Sequence, residues 1–373
     1  MPANRCDVLP AAAAALGVPG GVDRIGLSDS DARRVVVLLL DGMGYHLLPT
    51  MAPHAPLLAS VVSRSAGRLD ELVCTFPSTT PTSLVSLGTG ARPGQHGVLG
   101  FTLRVPGTSR ILTHIFWRDD PPPAQWQPLG TWFERIAAAG RPVSVVLPAA
   151  FAGSGLTDAA YRGGRFIGVG ERDDFAAALL NVARGAAGLT YGYIANLDTA
   201  AHLHGIDSPQ WQQAAAQIDR LLTRIVAELP ADALLLVTAD HGGLNVPLDE
   251  RYDVDTDPHL SDAVQFVTGE PRARYLHTTP GAAADVVATW TAVLGERATV
   301  HTRDEIVESG LFGPVRPEHL ARLGDVVVIC TGPTAIIATK REPALLSGLI
   351  GYHGALTPAE TAIPLITFYG TTA

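Results

Sequence analysis

The fold is decided by the stretch VVVLLL at residues 35–40, which runs without a polar residue into Asp41 and Gly42. Four further aliphatic runs are Ser144–Leu147, Leu189–Ala195, Leu234–Thr238 and Asp325–Cys330. A strand with one face in water alternates apolar and polar residues, whereas a strand of a parallel sheet is covered on both faces and is continuously apolar. These runs therefore predict the strands of a mostly parallel sheet.

Helical patterns lie between the predicted strands. They cover Thr82–Gly88, Leu129–Ala139, Asp173–Arg184 and Pro209–Leu229. The last pattern is the clearest, because its apolar residues from Ala214 to Val226 recur at the spacing of one helix face. Strands that alternate with helices predict a doubly wound α/β fold, with a central sheet flanked by helices. In such folds the functional site lies at the carboxyl ends of the strands.

Two segments do not follow this alternation. Residues 101–128 are rich in aromatic residues and proline, and residues 244–324 mix turns and charged residues with one helical pattern at Ala282–Leu294. We interpret both as insertions that form a smaller cap around the site. The whole chain, residues 1–373, is then one α/β domain that carries this cap.

Composition excludes several classes of protein. The formal net charge of −9 argues against a nucleic-acid-binding surface. The sequence has no apolar run of about 20 residues, the length that spans a membrane. Its three cysteines are widely spaced and predict neither a disulfide framework nor a cysteine-based zinc motif. The first twenty residues lack the features of a secretory signal, so we expect a cytoplasmic protein.

Polar residues with metal-binding chemistry follow the predicted strands. Asp41 ends the first strand, the pair Asp240-His241 ends another, and Asp198 and His202 are four positions apart in a predicted helix turn. Each has an ordinary structural explanation, such as helix capping for the aspartate or a turn for His353. Together they supply nitrogen and oxygen ligands without sulfur, a mixture that suits zinc, with manganese or iron as alternatives.

A hydroxyl-rich segment precedes an apolar helical pattern at residues 78–83. Hydroxyl groups at a helix N-terminus lie where the backbone amides favour an anion such as phosphate. They are also common capping residues, and the segment contains several of them. The residues alone do not decide which hydroxyl would react.

The ordered set of these motifs resembles the alkaline phosphatase superfamily, and within it the type I phosphodiesterase/nucleotide pyrophosphatase family. The resemblance covers residues 35–100, 188–245 and 350–358. It implies two divalent metal ions and a covalent phosphothreonine intermediate, with Thr80 as the nucleophile. It assigns one metal to Asp41, Thr80, Asp240 and His241, and the other metal to Asp198, His202 and His353. It also implies that His96 is structural.

The substrate is less closely defined by this resemblance. The family usually has an asparagine that binds phosphate shortly after His96, and this sequence has Gly100 and Phe101 there. Backbone amides near Thr80 or another side chain would then bind the phosphate. No cation adjoins the nucleophile motif, which favours a phosphodiester or nucleotide pyrophosphate over a monoester. Phe116 and Trp117, with Phe101, are candidates for substrate binding or for the core of the cap.

Two alternatives remain open at this point. One is a phosphomonoesterase or phosphonate hydrolase built on the same scaffold. The other is a non-catalytic binding protein that keeps the fold. The expected partner of the enzyme is a small-molecule phosphate ester or nucleotide, and neither a membrane nor a nucleic acid is expected to bind.

Overall fold

A seven-stranded central sheet forms the body of the protein. The computed structural model describes residues 3–27 and 32–371. Met1 and Pro2, which belong to the segment for which no secretory signal is expected, lie outside these ranges. In spatial order the strands are Arg68–Val73, Ala362–Tyr369, Ala233–Thr238, Arg34–Leu40, Leu189–Ile194, Val143–Pro148 and Arg165–Val169. The last five pair in parallel. The predicted α/β class is confirmed.

The strand Arg34–Leu40 lies in the middle of this sheet. It pairs in parallel with Leu189–Ile194 on one side and with Ala233–Thr238 on the other. All of its residues from Val35 to Leu40 are buried. The continuous apolar run therefore reflects helices packed on both faces, as the parallel arrangement requires.

Helices cover both faces of the central sheet. The longer ones are Val8–Ala15, Pro56–Val62, Thr80–Thr89, Trp132–Ala138, Gly155–Tyr161, Phe175–Ala183, Asn196–His204 and Pro209–Ala227. The longest helix begins where the Ser208 side chain accepts a hydrogen bond from the Trp211 amide, with Pro209 in the first turn. Its buried residues Ile218, Leu222 and Ile225 form the predicted apolar stripe.

A second, antiparallel sheet of six strands lies beside the first. In spatial order its strands are Ala298–Thr302, Val326–Cys330, Ala273–Thr278, Val264–Glu270, Thr102–Arg104 and Ile111–Thr113. Both segments predicted as insertions, residues 101–128 and 244–324, supply strands to this six-stranded sheet. Its strand Val326–Cys330 follows shortly after the second segment. We call this element the second sheet.

The predicted position of the run Asp325–Cys330 is wrong. We expected it in the parallel sheet, but Val326–Cys330 pairs antiparallel with both of its neighbours. Val327 and Ile329 pack into the main core, while Val326 and Val328 pack against the helix Ala283–Leu294 on the other face. The continuous apolar run reports burial of both faces, and this does not determine the direction of the strand.

Short elements complete the chain. The helices are Leu48–Met51, Pro93–His96, Pro123–Trp126, Pro258–Ser261, Arg303–Glu308, Pro317–Leu320, Ala344–Ser347 and Pro358–Thr361. Two further small sheets pair Arg251–Asp253 with Ala335–Ile337 and Leu244–Asn245 with Gly351–Tyr352. Across residues 3–27 and 32–371, no helix has the length and apolar character that would let it cross a membrane.

A buried ion pair joins the second sheet to the central one. The Arg272 guanidinium donates to both carboxylate oxygens of Glu360, over 2.6 and 2.8 Å. Neither side chain is exposed. Glu360 also accepts hydrogen bonds from the Ala355 amide and the Thr357 hydroxyl. The loop that carries His353 is thereby attached to the second sheet.

Candidate metal centre

Three carboxylates meet at the carboxyl edge of the central sheet. Asp41 directly follows Arg34–Leu40, Asp240 follows Ala233–Thr238, and Asp198 lies in the first turn after Leu189–Ile194. These strands are neighbours, so their ends place the three side chains side by side. The chain passes closely at Gly42, whose φ is 72° and where a Cβ would lie 2.9 Å from that of Asp198.

The first cluster consists of Asp41, Asp240 and His241. His241 Nε2 lies 3.4 Å from Asp41 Oδ1 and 3.5 Å from Asp240 Oδ2. All three side chains are buried. Thr80 joins them, because its Oγ1 lies 3.1 Å from the same His241 nitrogen. The cluster has the composition and spacing of a metal site.

The second cluster adjoins the first and contains Asp198, His202 and His353. His202 Nε2 lies 3.1 Å from Asp198 Oδ2 and 3.2 Å from His353 Nε2. The His353 ring stacks on the His241 ring, with centroids 3.5 Å apart. Ligand atoms of Asp198, His241 and His353 lie within 4.8 Å of one another. The structure therefore brings together all seven residues that the sequence suggested.

Backbone carbonyls orient all three imidazoles. The Nδ1 atoms of His202, His241 and His353 lie 2.7 to 2.8 Å from the carbonyl oxygens of Gly351, Gly242 and Ser78. A ring nitrogen facing a carbonyl oxygen must donate, which turns the Nε2 atom of each ring toward the centre. Burial, together with the neighbouring His241 and His202, holds the pKa of His353 well below its usual range. This histidine is therefore neutral, the form that binds metals.

Two buried carboxylate oxygens face the same centre without donors. One oxygen of Asp41 accepts from the Tyr193 hydroxyl, and Asp240 Oδ1 accepts from the Gly42 and His241 amides. Within the described part of the chain, the other oxygens, Asp41 Oδ1 and Asp240 Oδ2, have no hydrogen-bond partner. Leaving buried carboxylate oxygens unpaired is costly.

The pKa of Asp41 also indicates that this centre would be stabilised by a bound cation. Burial and then the neighbouring Asp240 and Asp198 raise the pKa of Asp41 well above its usual range. A bound cation would pair the unsatisfied oxygens and remove this repulsion. The donor set therefore fits a metal ion, and these Asp and His clusters could hold one.

The geometry distinguishes Thr80 from its neighbouring hydroxyls. Ser78, Thr79 and Thr82 are fully buried, and so is Ser83, whose hydroxyl donates to the Asp240 carbonyl oxygen over 2.9 Å. Thr80 begins the helix Thr80–Thr89, is partly exposed, and donates to His241 Nε2. It is the hydroxyl of this segment that a substrate in the centre can reach.

A cavity of about 390 Å³ opens beside the two clusters, and we call it the site cavity. Its wall includes Phe101, Glu270 and several aliphatic residues.

Two of the predicted substrate-binding residues do not line the site cavity. Phe116 is 75% exposed elsewhere on the surface. Trp117 is buried, donates to the Pro121 carbonyl oxygen and packs against Trp126 in the core.

Sequence reasoning missed Tyr193 and Glu270. Tyr193 lies inside an apolar strand, where its hydroxyl gave no separate signal. Glu270 ends a strand of the second sheet, and both of its oxygens are buried without a partner among the described residues. Burial raises its pKa to about 8, although the nearby Thr79 hydroxyl, Arg274 guanidinium and Phe101 amide, none of them within hydrogen-bonding geometry, oppose this shift. No motif connects Glu270 to the other site residues in sequence.

His96 is part of the scaffold. Its Nε2 lies 2.9 Å from the Ser86 hydroxyl, and its Nδ1 accepts from the Val98 amide over 3.1 Å. The ring is fully buried, and burial lowers its pKa well below the usual range. This histidine holds the turn after the Thr80 helix.

Solved structures with a similar fold include two kinds of hydrolase. Murine ectonucleotide pyrophosphatase/phosphodiesterase 5 aligns with a TM-score of 0.72 at 17% identity, covering 91% of this chain and 90% of that one. Phosphonoacetate hydrolase from Sinorhizobium meliloti 1021, in complex with phosphonoformate, aligns with a TM-score of 0.66 at 19% identity, covering 90% of each chain. At these identities the likeness establishes the fold.

The sequence itself establishes the family. No curated protein shows a significant sequence match to the chain. The family model for type I phosphodiesterase/nucleotide pyrophosphatase matches residues 35–356, which include all seven residues of the two clusters. The chain therefore belongs to the type I phosphodiesterase/nucleotide pyrophosphatase family of the alkaline phosphatase superfamily and is a hydrolase of that kind.

Proposed function

We propose that the protein hydrolyses phosphodiester or nucleotide pyrophosphate bonds through a covalent phosphothreonine on Thr80, with two divalent metal ions. One observation carries the proposal. The Thr80 hydroxyl is the accessible one at the start of its helix, and it lies 3.1 Å from His241 Nε2, among buried ligands. A nucleophile needs this position, beside groups that stabilise its alkoxide.

The two clusters would hold the metal ions. Asp41, Thr80, Asp240 and His241 would bind one, and Asp198, His202 and His353 the other. The unpaired oxygens of Asp41 and Asp240 support this assignment. Nitrogen and oxygen donors without sulfur favour zinc, with manganese or iron as alternatives. When bound, the ions would lower the pKa of the Thr80 hydroxyl and of water and offset the charge of the phosphoryl group.

The protein's own groups then account for the reaction. The Thr80 oxygen attacks phosphorus, a bond from Thr80 to phosphorus forms, and the bond to the leaving ester oxygen breaks. The positive end of the helix dipole at Thr80 would favour the phosphoryl anion. Water then cleaves the phosphothreonine and restores the hydroxyl. Tyr193 and the backbone carbonyls keep the ligands oriented throughout.

The charge of the site cavity supports a diester over a monoester. A phosphate monoester carries one more negative charge than a diester. Enzymes that bind monoesters often neutralise this charge with an arginine or lysine side chain. Among the described residues that line the site cavity, none is a lysine or an arginine. Phosphodiesters and pyrophosphate esters are therefore the first choice, while monoesters and phosphonates are the comparison substrates.

The Thr80→Ala variant tests the proposal. We expect turnover of bis(para-nitrophenyl) phosphate to fall by roughly a thousandfold or more, while metal content stays near that of the wild type. Thr199→Ala is the matched control, because Thr199 is an exposed hydroxyl residue that lines the same cavity. Normal turnover by Thr80→Ala would refute the nucleophile. A wild-type protein that binds metal but hydrolyses no ester would indicate a binding protein.

A relative rate decides the substrate class. The same preparation, reconstituted with zinc or manganese, is compared on para-nitrophenyl phosphate, on the diester and on a phosphonate ester. We expect the diester to be preferred. A monoester or phosphonate rate far above the diester rate would instead indicate a phosphomonoesterase or a phosphonate hydrolase.

Chelation tests the metal assignment on the same preparation. Activity that survives prolonged chelation would contradict the assignment of metal ions to this centre.

A further inference from the structure

The wall of the site cavity is apolar opposite the metal ligands. We infer that this wall binds an alkyl or aryl group of the substrate, so that the preferred substrate is a phosphodiester with an apolar ester group. The inference rests on the proposed function, since it concerns what the same centre hydrolyses. It names a substrate class that differs from nucleotides.

Partly exposed aliphatic side chains meet at the opening of the cavity. Ile115, Leu203 and Leu345 are 44%, 46% and 65% exposed, and all three line the cavity. They come from three separate parts of the chain, which the fold brings to one place. Large apolar side chains clustered at the mouth of a catalytic cavity mark a site for an apolar ligand.

The aliphatic wall is fixed to the metal centre. The short helix Ala344–Ser347 carries Leu345 and Leu346. The Tyr352 hydroxyl donates to the Leu346 carbonyl oxygen over 3.1 Å, and Arg251 donates to the Ser347 carbonyl oxygen over 3.0 Å. Tyr352 directly precedes His353. A group bound against this wall would therefore adjoin a phosphoryl group at Thr80.

The cavity offers little to a polyanion. Apart from the Asp and His ligands, the ionisable acid in its wall is Glu270. The nearby arginines are already paired: Arg272 binds Glu360, and Arg274 binds Glu342 over 2.5 and 2.7 Å. Additional phosphate charges would meet no free cation among the described lining residues. One negative charge at the reacting phosphorus therefore suits the cavity better than several, and the inference narrows the proposed function from nucleotide pyrophosphates to simple phosphodiesters.

A nucleobase would find few partners in this wall. Reading a base requires stacking faces and accessible hydrogen-bonding groups, whereas the unpaired oxygens of Glu270 are buried. The Tyr193 hydroxyl is engaged by Asp41, and that of Tyr352 by the backbone. Tyr352 is also only 2% exposed. Phe101 is the remaining aromatic residue among the described lining residues, and its ring suits an alkyl or aryl group as well as a base.

Inhibition by a series of dialkyl phosphates tests the inference. Dimethyl, diethyl, dibutyl and dihexyl phosphate, and diphenyl phosphate, compete with bis(para-nitrophenyl) phosphate for the metal-loaded enzyme. Symmetric esters present the same group whichever side of phosphorus faces the wall. Each buried methylene is worth about fourfold in affinity, so we expect the inhibition constant to fall by roughly that factor per methylene in each chain.

The outcomes separate the inference from the proposed function. A gain with the alkyl series identifies an alkyl group, and a gain confined to diphenyl phosphate identifies an aryl group; both support the inference. Inhibition constants that do not change along the series, with a nucleoside methyl phosphodiester bound more tightly, would overturn it. The function would still stand in that case, because hydrolysis of the reporter substrate that depends on Thr80 measures it separately.

A polar substitution in the wall provides the second arm. Leu345→Gln keeps the size of an exposed side chain and should weaken dihexyl phosphate by roughly fivefold to tenfold, with little effect on dimethyl phosphate. Leu248→Gln is the control, because Leu248 is 79% exposed and lies outside the cavity. Equal losses for both esters, or the same loss in the control, would contradict a role of the wall in binding.

Discussion

The two halves of the site cavity are built from different structural elements. The half that holds the proposed metal ligands stands mainly on the ends of three parallel strands, and its side chains are fixed by backbone carbonyls and amides. The apolar half is assembled from the helix Ala344–Ser347, from segments that adjoin the second sheet and from Leu203 at the end of the helix Asn196–His204, and its aliphatic residues Ile115, Leu203 and Leu345 are partly exposed. The first half is suited to the chemistry, and the second half to the choice of substrate.

This difference leads to different expectations for substitutions. A change among the metal ligands should affect every substrate equally, because all of them react at the same phosphorus. A change in the apolar wall should affect substrates according to their ester groups. Variants that violate this division would show that the halves are not separate.

The largest effect is expected for Asp240→Asn. This change leaves the size of the side chain but removes a negative charge beside His241, so metal binding and catalysis both weaken. We expect a loss of roughly a thousandfold in kcat/KM that is the same for diesters with small and large groups. Metal content and the rates on both substrates measure it, and a loss confined to one substrate would contradict the division.

An intermediate effect is expected for Tyr193→Phe. The hydroxyl donates to Asp41, whose other oxygen faces His241. Losing such a partner of a metal ligand costs about 10- to 100-fold in metal affinity. Metal titration under competition with a chelator measures this affinity. Tyr161→Phe is the control, because Tyr161 is a buried tyrosine that bonds to Tyr191 and not to a ligand. If the wild type and Tyr193→Phe bind the metal with equal affinity, the Tyr193 hydroxyl does not contribute to metal binding.

A smaller effect on stability is expected for Glu270→Gln in the second half. The folded protein holds the pKa of Glu270 at about 8, above its value in the unfolded chain. As pH rises between these two values, the unfolded state releases a proton that the folded state keeps, so the free energy of unfolding falls. Glutamine does not ionise, and the variant should gain on the order of 1 kcal/mol over the wild type across this window.

Urea unfolding of the metal-free protein measures this difference at pH 5.5, about one unit above the pKa of an unfolded glutamate, and at pH 8.5, just above the pKa in the folded protein. The exposed Glu308→Gln is the control. If Glu270→Gln and the wild type show the same difference in stability at both pH values, Glu270 ionises freely and the wall carries a charge. The inference of an apolar substrate group would then lose support.

The metal half of the site could be predicted because local sequence places its residues. Asp41 and Asp240 each follow a continuous apolar strand, and Asp198 begins the next turn after another one. Parallel strands bring such positions to one edge whatever the rest of the chain does. The assignment of Thr80 came from the family resemblance, since neighbouring hydroxyls look alike in the sequence.

The apolar wall could not be predicted, because its contacts join distant parts of the chain. Glu270 and Leu345 belong to no motif, and only the packing of the second sheet places them beside Thr80. The same limit left Trp117 open between substrate binding and the core of the cap, and in the structure its side chain is buried. Aromatic residues in an irregular segment have the same pattern whether they pack inward or line a cavity.

The direction of the strands also could not be predicted from the apolar runs in the sequence. The run at Val326–Cys330 is buried on both faces yet antiparallel. The strand Ala362–Tyr369 was not predicted at all, and it contains Pro364, which ordinarily disfavours a central strand. Pairing with Ala233–Thr238 begins at Leu365, so the missing amide of Pro364 falls outside that ladder.

The position of His353 in the chain has a consequence for biosynthesis. Asp41 leaves the ribosome well before His353 and the ion-pair residue Glu360, because both of these lie far downstream of it in the chain. Until they emerge, the nascent protein can present a carboxylate-rich edge but not the second cluster of ligands. The proposed second metal would therefore have to wait for the segment that carries His353, and a chain cut before this segment would lack one of the three side chains of the second cluster.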